Sequence, residues 1–343
     1  MAILHIEGFD GAGTTDDNIR WYMRKMYPAD ANLVDMGFNV AGRNGGRAWN
    51  GYTWDYFVMP IVDTQTIVVG FAYKTSNWRD NRWVICLKDS LSYQIILQMA
   101  TGGELKVYRN TTLLGTTSGL GCTTNTWYYI ELKVTIDNGT DGSYELRVDG
   151  TNVLSNSACD TQESSNSSVN NIAVICNEND TFDRIYDDMY ILDTTGSDNN
   201  DFLGIMKVLM LSPDSNGDSN DFSAYPGTGE DNYENVDDGT TCDEDTTYVE
   251  TKDSGDKELY SFEDLNNYGD IAAVVLLADV KKTDVIKQKL RLLSKYVSTE
   301  TTDSGIAIPG DYIIIKRVME TDPNGNKWVS SVLNSSQFGF ETV

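Results

Sequence analysis

"WYYIELKVTIDNGTDGSYELRVDG", residues 127–150, decides the fold. Two alternating runs flank "DNGTDG", a turn rich in residues that accept positive φ, and together they read as a β-hairpin. Along the first run Tyr128, Ile130, Leu132, Val134 and Ile136 alternate with Tyr129, Glu131, Lys133 and Thr135. Successive strand side chains point to opposite faces, so one face is apolar and must be buried against a second sheet.

Outward from the hairpin the same signals repeat. Short runs rich in Val, Ile, Thr and Tyr lie between Gly, Asn, Asp and Ser clusters at 66–74, 82–87, 92–99, 104–109, 171–176 and 185–192. This pattern predicts an all-β sandwich or jelly roll. Around these runs only 17–26, "DNIRWYMRKM", reads as a helix before residue 210, with Ile19, Tyr22, Met23 and Met26 at helical spacing.

The 343 residues carry 52 acidic and 26 basic side chains, a formal charge of −26. Without any basic run this excludes nucleic acid and disfavours anionic membranes as partners. The longest apolar run, "IAAVVLLA" (271–278), is strand-sized, well short of the roughly 18 residues of a membrane span, so no membrane insertion is expected. The start, "MAILHIEGFDG", shows no basic n-region, long apolar segment or cleavage site, so no signal peptide is expected and synthesis in a cytoplasm is the expectation. Five cysteines without a CxxC pair signal neither zinc nor a full disulfide framework, and leave open whether any pair. Cys86 and Cys176 close apolar runs and read as buried thiols.

Composition shifts after about residue 210. Between 201 and 270, 19 acidic residues face only Lys207, Lys252 and Lys257. The chain therefore divides into a sandwich over 1–210, an acidic connector or arm over 211–265, and a smaller β-rich domain over 266–343. Strands are expected at 270–282 and 310–320. Over 284–298 Ile286, Leu290 and Leu292 alternate against Lys287, Lys289 and Arg291, which favours a strand and leaves a helix at 285–296 open. "WVSSVLNSS" (328–336) suits a short helix.

"HIEGFDG" (5–11), "AGRNGGRAW" (41–49), "TIVVGFAYK" (66–74), the opening hairpin and "YDDMYILDTTGSDNNDFLG" (186–204) occur in that order. In that order they resemble the concanavalin A-like, or laminin G-like, jelly-roll proteins of tailed-bacteriophage structural regions. The resemblance covers about 1–210, and more loosely "DEDTTYV", "DLNNYGDIAAVVLLADVKK" and the C-terminal "DPNGNKWVSSVLNSSQFGFE". It implies a virion component, a head decoration or a tail or fibre part, usually oligomeric and in contact with other virion proteins. It does not imply catalysis.

The residues give the same expectation of a chain that is not an enzyme. His5 is the one histidine, set in an N-terminal strand where a structural role is expected, and it has no second histidine to form a triad or metal site. Sandwich glycan hydrolases need two carboxylates roughly 5–10 Å apart. Regular alternation in "RIYDDMYIL" puts Asp187 and Asp188 on opposite faces, and Asp193, Asp198 and Asp201 in the turn that leaves the sandwich. No cofactor is expected. For calcium, "DSNGDSND" (214–221) begins like a loop of alternating carboxylates, but Ser219 and Tyr225 stand where Gly and Glu would be needed. The first alternative to a structural role is a lectin-like module binding host glycan, with Trp49, Trp54 and Trp78 as carbohydrate-binding candidates among the aromatics of 49–83, and the second is a glycan hydrolase. Burial in the core explains the same residues, since "WNGYTWDYFVMP" (49–60) alternates as one buried strand would.

Overall fold

The computed structural model describes residues 2–27, 37–176, 181–227, 231–239, 242–266, 269–284 and 288–343. Two units divide the chain, Met1–Val208 and Leu209–Val343.

The first unit contains β1 (Ile3–Glu7), α1 (Asp16–Met26), β2 (Phe38–Ala41), β3 (Arg47–Gly51), β4 (Tyr56–Thr64), β5 (Thr66–Thr75) and β6 (Arg82–Asp89). It continues with β7 (Ser92–Ala100), β8 (Glu104–Arg109), β9 (Thr112–Thr116), β10 (Tyr128–Thr135), β11 (Ser143–Val148), β12 (Thr151–Asn156), β13 (Val169–Ile175) and β14 (Arg184–Leu192). The larger sheet runs β12-β11-β10-β5-β14-β3-β2, with β1 also on β14; the smaller runs β4-β13-β6-β7-β8-β9. This is an all-β jelly-roll sandwich. The hairpin pairs Ile130 with Val148 and Thr135 with Ser143. Ile130, Leu132, Val134 and Ile136 are fully buried. Each such side chain contributes about 1.5–3 kcal/mol relative to exposure, which is why this face fixes the layering.

α1 begins at a capping box in which the Thr15 hydroxyl accepts from the Asn18 N–H and the Asn18 side chain accepts from the Thr15 N–H. Asp16 and Asp17 in the first turn and Arg24 and Lys25 in the last suit the helix dipole. Ile19, Tyr22, Met23 and Met26 are buried, as their spacing predicts.

Two expectations for this unit fail. The stretch 49–60 is not one strand. The chain leaves the larger sheet after Gly51 and enters the smaller one at Tyr56. The crossing is a turn closed by Asp55, whose carboxylate accepts from the Tyr52 N–H at 2.7 Å, with Trp54 at φ 60°. Nor is β14 regular. Its register against β5 shifts between Asp187 and Tyr190, and Asp188 sits at φ 49°. A bulge of this kind re-aims side chains, and it cancels the opposite-face placement of the two aspartates.

The second unit carries β15 (Pro213–Asn220), β16 (Ser223–Tyr225), β17 (Tyr248–Glu250), β18 (Lys257–Phe262), β19 (Val274–Val280), β20 (Lys289–Tyr296), β21 (Thr299–Thr302), β22 (Ile306–Ala307), β23 (Ile313–Met319), α2 (Ser330–Leu333) and β24 (Ser336–Thr342). Its main sheet runs β15-β18-β24-β20-β21, over a core that includes Leu276, Leu292, Ile315, Met319, Trp328 and Phe338. Of 285–296, the part from Lys289 is strand, while 285–287, Ile286 included, lies outside the described residues.

The acidic stretch 211–265 differs from the expected arm, because it supplies β15 and β18 to this sheet. "PDSNGDSN" has no aliphatic side chain to reveal a strand. As an edge strand it is held by backbone pairing to β18 and by Asp218, 2.6 Å from Lys295 Nζ. The calcium loop suggested at 214–221 is therefore mostly extended backbone, which sends alternate carboxylates apart rather than around one ion. Among the described residues no cluster of three His, Cys, Asp or Glu side chains is gathered for a metal.

Candidate functional site

The three candidate tryptophans do not meet. Trp49 on β3 is fully buried, its ring 5.0 Å from Phe57 and 5.7 Å from Tyr186. From Tyr186 the ring contacts continue to Tyr73 at 5.1 Å and on to Trp78 at 6.1 Å, an aromatic file through the sandwich interior. Trp78 is itself buried and donates its indole N–H to the Thr123 carbonyl at 3.2 Å. Neither ring has a face to offer a sugar. Trp54 does: it is 60 % exposed, on the turn between the sheets.

Polar groups surround that turn. Tyr52 packs edge-on against Phe38 at 4.6 Å and donates its hydroxyl to Asp183 Oδ1 at 2.5 Å. Asn50 donates to the same oxygen at 2.8 Å. Burial raises the carboxyl of Asp55 above its ordinary range, although the Tyr52 N–H opposes the shift. Burial and then the Asp183 carboxylate raise the Tyr52 phenol. The turn thus presents an exposed indole face on a segment held by hydrogen bonds, apolar surface of the kind on which a pyranose ring stacks.

A second cluster lies at the β14 bulge. Asp187 Oδ2 accepts from the Arg43 N–H at 2.6 Å, and Asp188 Oδ2 accepts from Arg43 Nε at 2.9 Å. Asp188 Oδ1 accepts from the Val208 N–H at 2.7 Å, and Arg43 Nη2 donates to the Met206 carbonyl. Asp10 Oδ1 accepts from the Arg47 N–H at 2.7 Å. The glycines of "AGRNGGR" make this approach feasible, because a Cβ on Gly46 would stand 1.9 Å from Asp10 Oδ1 and one on Gly42 2.8 Å from Asp187 Oδ2. Burial, and then the Asp188 charge, push the Asp187 carboxyl up to about 8. Burial also raises Asp188, despite Arg43. These aspartates latch the 41–47 loop and the chain leaving β14. Sequence reasoning missed the latch, whose signal was the glycine cluster around Arg43 matched to an adjacent pair of aspartates.

His5 is buried and hydrogen-bonds Tyr27 Oη at 2.8 Å, and Glu7 accepts from the Tyr22 and Tyr27 hydroxyls at 3.1 and 3.0 Å. This network ties α1 and the residue after it to β1. Among the described residues no disulfide joins the five cysteines, and burial raises Cys86 well above the ordinary thiol range.

No protein-family model and no curated protein matches the chain. Among solved structures it is similar to an alginate lyase, at 10% identity over 54% of this chain and 95% of that one, with a TM-score of 0.38. It is also similar to domain 4 of a GH43 extracellular arabinanase from Geobacillus stearothermophilus in complex with arabinotriose, at 13% identity over 56% and 93%, TM-score 0.39. A third is a carbohydrate recognition domain in its potassium-bound form, at 6% identity over 55% and 99%, TM-score 0.32. The expectation of a chain that is not an enzyme is corrected by these findings, since the structures it is similar to include polysaccharide lyases and a glycoside hydrolase domain. At these identities and TM-scores the likeness transfers neither a substrate nor a catalytic residue. Among the described residues no helix is long and apolar enough to cross a membrane.

Proposed function

We propose that this chain is a surface protein of a bacteriophage particle whose first unit recognises glycan on the host envelope, with Trp54 as the stacking face. The observation that carries the reading is the 60 % exposure of Trp54, a large apolar ring that the sandwich leaves outside its core. The ring sits on a short turn closed by Asp55, so little conformational freedom remains to be lost on binding. The phage setting rests on the ordered motifs of residues 1–210.

An array of bacterial envelope polysaccharides probed with the full chain tests the glycan reading. Binding to at least one polysaccharide is expected, with a loss of tenfold or more in Trp54→Ala; undiminished binding by that variant removes Trp54 from the site.

Contacts with other virion proteins, or between copies of the chain, are assigned to the acidic second unit. There Tyr225, 43 % exposed, stacks on Tyr248 at 4.5 Å. Basic surfaces on a partner would be steered towards it. Mass spectrometry of purified particles tests this setting, which fails if the chain is missing from them.

A further inference from the structure

Arg184 opens β14 and shares the interior side of the strand with Tyr186, two residues on. It is fully buried. Among the described residues Nε, Nη1 and Nη2 all lack a hydrogen-bond partner. The Phe182 ring, 5.2 Å from the guanidinium carbon, offers a cation–π contact but no acceptor. A guanidinium does not give up its proton inside a protein, so it cannot escape the cost of burial by becoming neutral. Leaving such a charge uncompensated is among the costliest arrangements a core can hold.

The surroundings are rich in donors and poor in free acceptors. Arg184 lies opposite Thr75 and Gly51 on the neighbouring strands, diagonal to Tyr73. The buried Tyr73 hydroxyl also lacks a partner of good geometry. Cys176 Sγ fills the space beside Gly51, 2.6 Å from where a Cβ there would stand. Of the carboxylates at this end, Asp55 feels the Arg184 charge, which works against its rise on burial, but no carboxylate hydrogen-bonds the guanidinium. Asp55 Oδ2 accepts from the Tyr52 N–H at 2.7 Å, and Asp183 Oδ1 accepts from Asn50 Nδ2 and Tyr52 Oη at 2.8 and 2.5 Å. The Thr75 hydroxyl donates to the Asp183 carbonyl at 2.7 Å.

We propose that Arg184 and Tyr73 bind a small monovalent anion, of the size of chloride or formate, sealed between the two sheets. Three guanidinium nitrogens and the Tyr73 phenol, which feels the Arg184 charge, are all donors without an acceptor, and an anion is an occupant that has only to accept. A water molecule would need acceptors for its own protons, and Asp55 Oδ2 and Asp183 Oδ1 already accept hydrogen bonds from other groups. One guanidinium balances one negative charge. Fully buried Trp49, Tyr186 and Cys176 around it leave no space for a sugar or an oligophosphate. The site is independent of the Trp54 reading and acts on the fold.

The test is bromide. Crystals of the full chain grown with bromide replacing chloride are expected to show an anomalous peak in contact with the Arg184 guanidinium. In solution the thermal midpoint is expected to rise with bromide or chloride at an ionic strength held constant with gluconate, and to lose that dependence in Arg184→Met. No peak, with a water or a carboxylate of the chain itself on the guanidinium, overturns the proposal. So does an equal anion dependence in wild type and variant. Should Arg184→Met not fold, the bromide map of the wild type decides alone.

Discussion

Trp49 and Trp54 lie five residues apart in one aromatic stretch, and the first is fully buried while the second is 60 % exposed. Trp49 is the middle residue of β3, its ring turned along the chain towards Gly51. A Cβ on Gly51 would stand 2.3 Å from Trp49 Cη2, so the residue two places on has no space for a side chain. The chain then leaves the sheet, and Trp54 falls on the turn that carries it across the sandwich edge. Two residues of one type in one local pattern thus take opposite roles, because burial is decided by the sheet a strand joins and not by the periodicity within it.

The contrast is open to attack by mutation. Trp49→Ala removes the ring that joins Phe57 to Tyr186, and a loss of about 3–5 kcal/mol in denaturant unfolding is expected. A loss no larger than that of Trp54→Ala would erase the distinction between the two sites. Gly51→Ala forces a methyl into Trp49 and Cys176 Sγ and is expected to cost about 1–3 kcal/mol by overpacking. A cost near zero would mean the Trp49 ring is free to move aside.

Asp187→Asn carries the contrast to the outer side of the same sheet. Burial holds the folded-state carboxyl near 8, above its ordinary 3.8, so between these values the folded chain keeps a proton that the unfolded chain has released. Wild-type stability relative to Asp187→Asn should therefore fall as pH rises through that window, by at most about 1.4 kcal/mol per pH unit, and level off above it. A difference that is flat with pH would show that the latch holds Asp187 ionised. Trp54→Ala is expected to change stability least, within about 0.5 kcal/mol.

Alternation made most of the first unit legible. Each of the eight strands read from the sequence is present within a residue or two, from Thr66–Thr75 to Arg184–Leu192, because each has one face against the other sheet. The failures share a cause. At 49–60 the apolar period runs through a change of sheet, so the crossing at Asp55 left no break in the pattern. At Asp187–Asp188 a bulge altered the facing of residues whose spacing looked regular. In "PDSNGDSN" the strand is held by backbone pairing at a sheet edge, with no apolar side chain to announce it. The glycan candidates were legible as residue types but not as a site. Trp54 was separable from Trp49 and Trp78 only once the turn was seen, and Arg184 carried no sequence signal because its peculiarity lies in the partners it lacks.

The most direct measurement is a nitrogen-15 spectrum of the indole N–H groups of the seven tryptophans, recorded while an array-selected envelope polysaccharide is titrated into the full chain. The account predicts that the Trp54 signal moves in a saturable way while the Trp49 and Trp78 signals, buried in the interior file, stay in place. A bound polysaccharide that leaves the Trp54 signal unmoved contradicts it.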